Sequence, residues 1–111
     1  MGRDHQKLTV FHKADELVLL VYRHTREFPA DERFGLRSQL RRSSLSIPTN
    51  IVEGSARESR RDYIRFLDIA LGSAAEAAYL LHVANRLNFL DDNAARDCET
   101  ARSRCGRCWR N

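Results

Sequence analysis

The segment from Arg60 to Leu87 constrains this chain more than any other. It contains no proline, and its first half holds Tyr63, Ile64, Phe66, Leu67, Ile69, Ala70 and Leu71. The second half adds Ala74, Ala75, Ala77, Ala78, Leu80, Leu81, Val83, Ala84 and Leu87. At helical pitch these residues point nearly all round, broken only by Asp68, Glu76 and His82. A helix that is apolar on every face must be covered on more than one side. In a chain of 111 residues there is room for one small domain, so part of that cover is expected from another copy.

Two further helices are legible. From about Leu8 to Thr25, Val10, Phe11, Ala14, Leu17, Val18, Val21 and Tyr22 keep the i, i+3, i+4, i+7 spacing of an amphipathic helix. Thr9 or Asp4 is placed to cap its start, and Phe28-Pro29 stops it. A second run begins near Arg33 and ends around Glu53-Gly54, with Phe34, Leu36, Leu40, Ser44, Ile47 and Ile51 in register. Pro48 lies inside this pattern, and periodicity on both sides of it predicts one bent helix with a kink. Ser43, Ser44 and Ser46 are placed to bond backbone groups nearby. Gly54 to Ser59 reads as a connector, with Ser59 as the cap of the third helix.

The tail changes character. Asn88 to Asp92 reads as a turn and an acidic helix start, and after Leu90 no Leu, Ile or Val appears. A fourth helix is therefore expected to be short or irregular, with Trp109 its only large anchor. The domain reading is a single all-α unit over residues 1–111: a core over 8–90, then a weak fourth helix and Cys/Arg-rich tail over 91–111.

Composition removes other classes. Five Gly and two Pro are too few for a many-stranded sandwich or barrel. No uninterrupted apolar run approaches a membrane span and the start leads into no signal-peptide core, so no membrane is expected. The three cysteines, all after residue 97, are an odd number, which fits a reducing cytoplasm better than a disulfide scaffold.

The net charge of +4 comes almost wholly from arginine, since Lys7 and Lys13 are the only lysines. Arg33, Arg37 and Arg41 fall at i, i+4, i+8, with Arg42 beside them; Arg57, Arg61 and Arg65 repeat the spacing, with Arg60 alongside. At about 6 Å per step along a helix, such guanidinium groups match successive phosphates. The competing reading is a solvated face balanced by Asp31, Glu32, Glu58 and Asp62. Neither helix-turn-helix, zinc-finger nor aromatic RNA-binding motifs occur, so sequence-specific readout is not indicated.

Other constellations are weaker. Glu53 and Glu76 sit among apolar or small residues, yet neither has a histidine three residues on, as a di-metal bundle requires. A buried acid paired with Arg41, Arg42 or a serine is the simpler expectation. Cys105 and Cys108, with Cys98 upstream, form one CxxC whose fourth ligand would have to be a distant histidine such as His82. Free thiols are the default there, and His82 reads as a core or interface histidine. Arg65 and Asp68 read as surface residues ion-paired with their neighbours. With no phosphate loop, G-x-S-x-G elbow or H-E-x-x-H, nothing points to an enzyme, a metal or a cofactor.

One resemblance adds to this. Phe28-Pro29, Glu32 to Leu36, Gln39 to Ser44, Ile47 to Gly54, Tyr63, Phe66-Leu67, Ala70 to Ala74 and Glu76 resemble the bacterial family encoded in intervening sequences of 23S ribosomal RNA genes. The resemblance covers about residues 8 to 90, and its most specific string is Arg-Arg-Ser followed by Ile-Pro-x-Asn-Ile-x-Glu-Gly. It implies an up-and-down four-helix bundle assembling as a homopentamer. Structural rather than binding roles are expected for Pro48, Asn50, Glu53, Gly54 and Glu76. The resemblance also implies kinship with the accessory variability protein of diversity-generating retroelements, hence RNA or DNA, and a reverse transcriptase, as partners. The tail departs from the family's Leu/Ile-rich fourth helix. The expected function is a non-catalytic, homo-oligomeric bundle that binds structured RNA or DNA through its arginines. The alternative is a protein-interaction scaffold with no nucleic-acid role.

Overall fold

The structure, a computed structural model, describes residues 2–110, with side chains described for residues 2–106. Four helices account for most of it: α1 Thr9–His24, α2 Leu36–Ser55, α3 Arg60–Arg86 and α4 Asp92–Arg110. Short connections make consecutive helices antiparallel, and each packs on its two neighbours in the cycle α1, α2, α3, α4, α1. The bundle measures 45 × 25 × 19 Å. No strand occurs among the described residues.

Local chemistry sets the ends of these helices. A 3-10 turn at His5–Lys7 precedes α1, and Asp4 caps that turn rather than the helix, accepting from Gln6 N–H at 3.0 Å. The second helix begins later than the periodicity suggests. Residues Ala30–Glu32 form a 3-10 turn, and the Glu32 carboxylate accepts from Leu36 N–H at 2.8 Å, capping α2 from outside. From there α2 runs unbroken through Pro48. The side chains of Ser43, Ser44 and Ser55 donate to carbonyls within the same helix. The third helix starts at its expected cap, with Ser59 Oγ accepting from Asp62 N–H at 3.1 Å. It ends where Asn88 adopts φ 63°, a left-handed conformation that asparagine tolerates better than most residues. The Phe89 amide then returns to the Ala84 carbonyl and the Asn88 amide to the Asn85 carbonyl, closing the helix end as a Schellman motif does.

The core explains the residue choices. Leu40, Ile47 and Ile51 of α2 are fully buried, as are Ala70 and Ala77 of α3. Large side chains on one helix facing alanines on the other let the two approach closely and interdigitate. At Gly54 the approach is closest: a Cβ there would stand 2.7 Å from Phe66 Cβ.

The fourth helix corrects the expectation of a short or irregular element, since it extends over 19 residues. Ala94, Cys98, Ala101 and Cys105 form its buried stripe, following buried Leu90. These positions keep helical spacing with small side chains, because the bulk of the seam is supplied by Leu17 and Val21 of α1. Cys108, the second cysteine of the CxxC, and Trp109, the expected anchor, lie outside the residues with described side chains.

By length and composition α3 is apolar enough to cross a membrane, but it packs here against α2 and α4. Its outward face carries Arg65, Asp68, Glu76 and Arg86 among Ile64, Ile69, Leu71 and Tyr79.

Candidate anion-binding surface

The two arginine rows do not survive as rows, because the first member of each lies outside its helix. Arg33 belongs to the turn before α2, exposed, with its guanidinium 4.9 Å from the centre of the Phe34 ring. Arg37 is half-buried. Arg41 turns inward: its Nε donates to Thr25 Oγ1 at 2.8 Å and its Nη2 to the Tyr22 carbonyl at 3.3 Å. It also stacks over the Tyr22 ring at 4.5 Å, so this guanidinium ties α2 to α1. Arg42 is exposed and lines a groove of about 390 Å³ between α2 and α3, together with Glu76 and Ser46.

The second set stays together. Arg57 lies in the turn after α2, and Arg60, Arg61 and Arg65 occupy the first turns of α3; all four are exposed. Aromatic faces hold two of them, with the guanidinium groups of Arg57 and Arg65 at 5.0 and 4.9 Å from the Phe66 ring centre. A fifth arginine joins from far away in sequence. Arg3 N–H donates to the Ser55 carbonyl at 2.6 Å, and its guanidinium sits 4.0 Å over Tyr63. Nothing in the sequence signals this arrival, since it depends on where the chain start lies against the α2–α3 turn.

Three acids temper the cluster. Glu53 pairs with Arg57 at 3.2 Å and Asp62 with Arg65 at 4.0 Å, and Glu58 is exposed in the same turn. Arg60 and Arg61 make no ion pair or side-chain hydrogen bond among the described residues. They stand at the N-terminus of α3, where the helix dipole adds positive potential. Five arginines, three of them (Arg3, Arg60 and Arg61) without an ion pair among the described residues, around one four-residue turn form a surface suited to phosphate oxygens.

The remaining candidates are placed as follows. Glu53 and Glu76 were read as buried acids, but both are exposed, because their positions on α2 and α3 face away from the seam. Asn50 donates to the Ser46 carbonyl and hydroxyl at 2.7 and 2.9 Å, and Ser46 in turn accepts from Ser73 across the seam at 2.7 Å. Pro48 and Gly54 are buried in the bundle. His82 is exposed on the outer face of α3 rather than set in the core. Cys98 is a free, buried thiol, and Cys105 is buried as well. No group of three His, Cys, Asp or Glu placed to hold a metal occurs among the described residues.

An arginine-bearing, four-helix all-α bundle is the class this fold and surface define. The chain belongs to the 23S rRNA-intervening sequence protein family, which matches residues 6–109. It is also similar to a crystal structure of a protein of unknown function from the S23 ribosomal protein family of Bacteroides thetaiotaomicron. That likeness has a TM-score of 0.80 at 26% identity and covers 89% of this chain and 93% of the other. No curated protein matches the chain.

Proposed function

We propose that this protein is a non-catalytic, homo-oligomeric helical bundle that binds structured RNA or DNA through backbone phosphates. The observation that carries the reading is the convergence of Arg3, Arg57, Arg60, Arg61 and Arg65 around the α2–α3 turn. Stacking on Tyr63 and Phe66 holds three of these guanidinium groups in place, which lowers the entropy lost when they bind. Each phosphate neutralised releases counterions, and copies of the chain in one assembly multiply the effect. The outward residues Ile69, Leu71, Tyr79 and Leu87, each at least 44% exposed, support the assembly half of the reading.

The test is a salt titration of binding to a structured RNA and a duplex DNA. Affinity is expected to fall by orders of magnitude between about 50 and 200 mM salt. The R60A/R61A double variant is expected to flatten that slope by about two while leaving the fold intact. Absence of binding at low salt, or an unchanged slope in the double variant, would sink the nucleic-acid reading. The exposed apolar residues of α3 would then favour a protein-interaction scaffold.

A further inference from the structure

Phe34 has the most exposed of the large apolar side chains, at 85%, and takes no part in the core. It precedes α2 at the α1–α2 side of the bundle, flanked by Asp31 and Arg33. On the opposite side, between α3 and α4, lies a groove of about 420 Å³. Ala78, Leu81 and Ala95 line it with apolar surface, while His82, Arg96 and Glu99 supply its polar edge. In an antiparallel bundle the start of α2 is level with the end of α3 and the start of α4. Knob and groove are therefore at similar heights on opposite sides of one molecule.

Size and charge agree with that placement. An apolar cavity of about 150 Å³ accepts benzene, so this groove has room for a phenyl ring and part of its flanking chain. Asp31 beside the knob is opposite in charge to Arg96 beside the groove, whereas Glu99 is already held by Arg102 at 2.6 Å. The apolar surface also continues past both features. Leu45 and Val52, exposed on α2, share a column with Arg41 and Pro48, and Arg41 contacts α1. Leu71, also exposed, lies two turns before Ala78 on the same column of α3.

We infer that Phe34 of one copy docks in the α3–α4 groove of the next. This rests on the homo-oligomer reading and gives it an interface. Because knob and groove are different surfaces, the contact is head to tail, so copies add until a ring closes rather than pairing about a two-fold axis.

The inference is tested by light scattering on wild type, F34S, A95R and an equal mixture of the two variants. Wild type is expected at three or more chain masses, and each variant alone at the 12.8 kDa of a single chain. Phe34 lies outside the core, so F34S is expected to retain its helix content, which circular dichroism checks. F34S keeps its groove and A95R keeps its knob, so the mixture is expected to form one-to-one heterodimers and nothing larger. F34S at wild-type mass, or a mixture that stays monomeric, would overturn the interface, including the case in which F34S loses only RNA binding and Phe34 stacks on a base. A wild-type dimer would overturn the head-to-tail contact and leave homo-oligomerisation standing. A wild-type monomer would remove both.

Discussion

Arg41 on α2 donates through Nε to Thr25 Oγ1 just beyond the end of α1, at 2.8 Å. The Thr25 hydroxyl is itself anchored, donating to the Val21 carbonyl at 2.8 Å, and Thr25 is fully buried. Arg41 therefore works as a strut between helices, with its Nε and Nη2 already engaged by α1 and the residue after it. R41A is expected to lower stability by about 1–3 kcal/mol in urea denaturation while leaving affinity for RNA unchanged. Weakened binding by a variant of unaltered stability would return Arg41 to the binding surface.

Gly54 makes a second prediction because the space around it is filled. A Cβ at this position would lie 2.7 Å from Phe66 Cβ and 3.4 Å from the Tyr63 carbonyl oxygen. G54A should therefore push α2 and α3 apart at the turn that carries the arginines, at a cost of about 1–3 kcal/mol. Gly72, with nothing within 4 Å of its added Cβ, is the matched control. G72A is expected to be neutral or to stabilise by up to about 1 kcal/mol. Thermal melts of the two variants with shifts of the same sign would contradict this account.

The first three helices were legible because their buried stripes include Leu, Ile, Val or Phe at helical spacing. Sequence periodicity places α3 at Arg60 to Leu87, and the helix spans Arg60–Arg86. The fourth helix was not legible by that criterion, since its stripe of Ala94, Cys98, Ala101 and Cys105 carries no large aliphatic. Spacing was the available signal, and side-chain size hid it. The arginine rows were over-read for a different reason. Periodicity was carried back to Arg33, but Glu32 capping Leu36 starts α2 beyond it, and Arg57 falls in the connector that ends at the Ser59 cap. Arg3 could not be found at all, because its place beside Ser55 and Tyr63 is a tertiary contact.

Ser59 links helix stability to the proposed surface. Its hydroxyl satisfies the Asp62 amide at 3.1 Å, and Arg60 and Arg61 lie in the turn that this bond holds. S59A is expected to cost about 0.5–2 kcal/mol of stability. Fraying of that turn should also weaken low-salt RNA binding by about two- to five-fold. S59T, which keeps the hydroxyl, should restore both properties. Full affinity in S59A alongside a clear loss of stability would show that the arginines bind independently of the cap.

Cys98 gives the chain a predictable response to alkali. Burial of its thiol on α4, with the Asp97 carboxylate beside it, pushes its pKa from 9.0 up to about 11. In the unfolded chain the thiol ionises first, so over this range the native state holds more protons. Stability then falls as pH rises, because its slope follows the protons bound by the unfolded state minus those bound by the native state. The contribution is fully present below about pH 9 and is lost as the pH climbs through about 11. Urea midpoints taken between about pH 8 and about pH 11 should therefore decline more steeply for wild type than for C98A. The comparison isolates Cys98, since the two proteins differ only at that side chain. Parallel declines would mean that Cys98 ionises as readily in the folded bundle as in the open chain. The same burial predicts that a thiol reagent modifies Cys98 only as fast as the α4 seam opens.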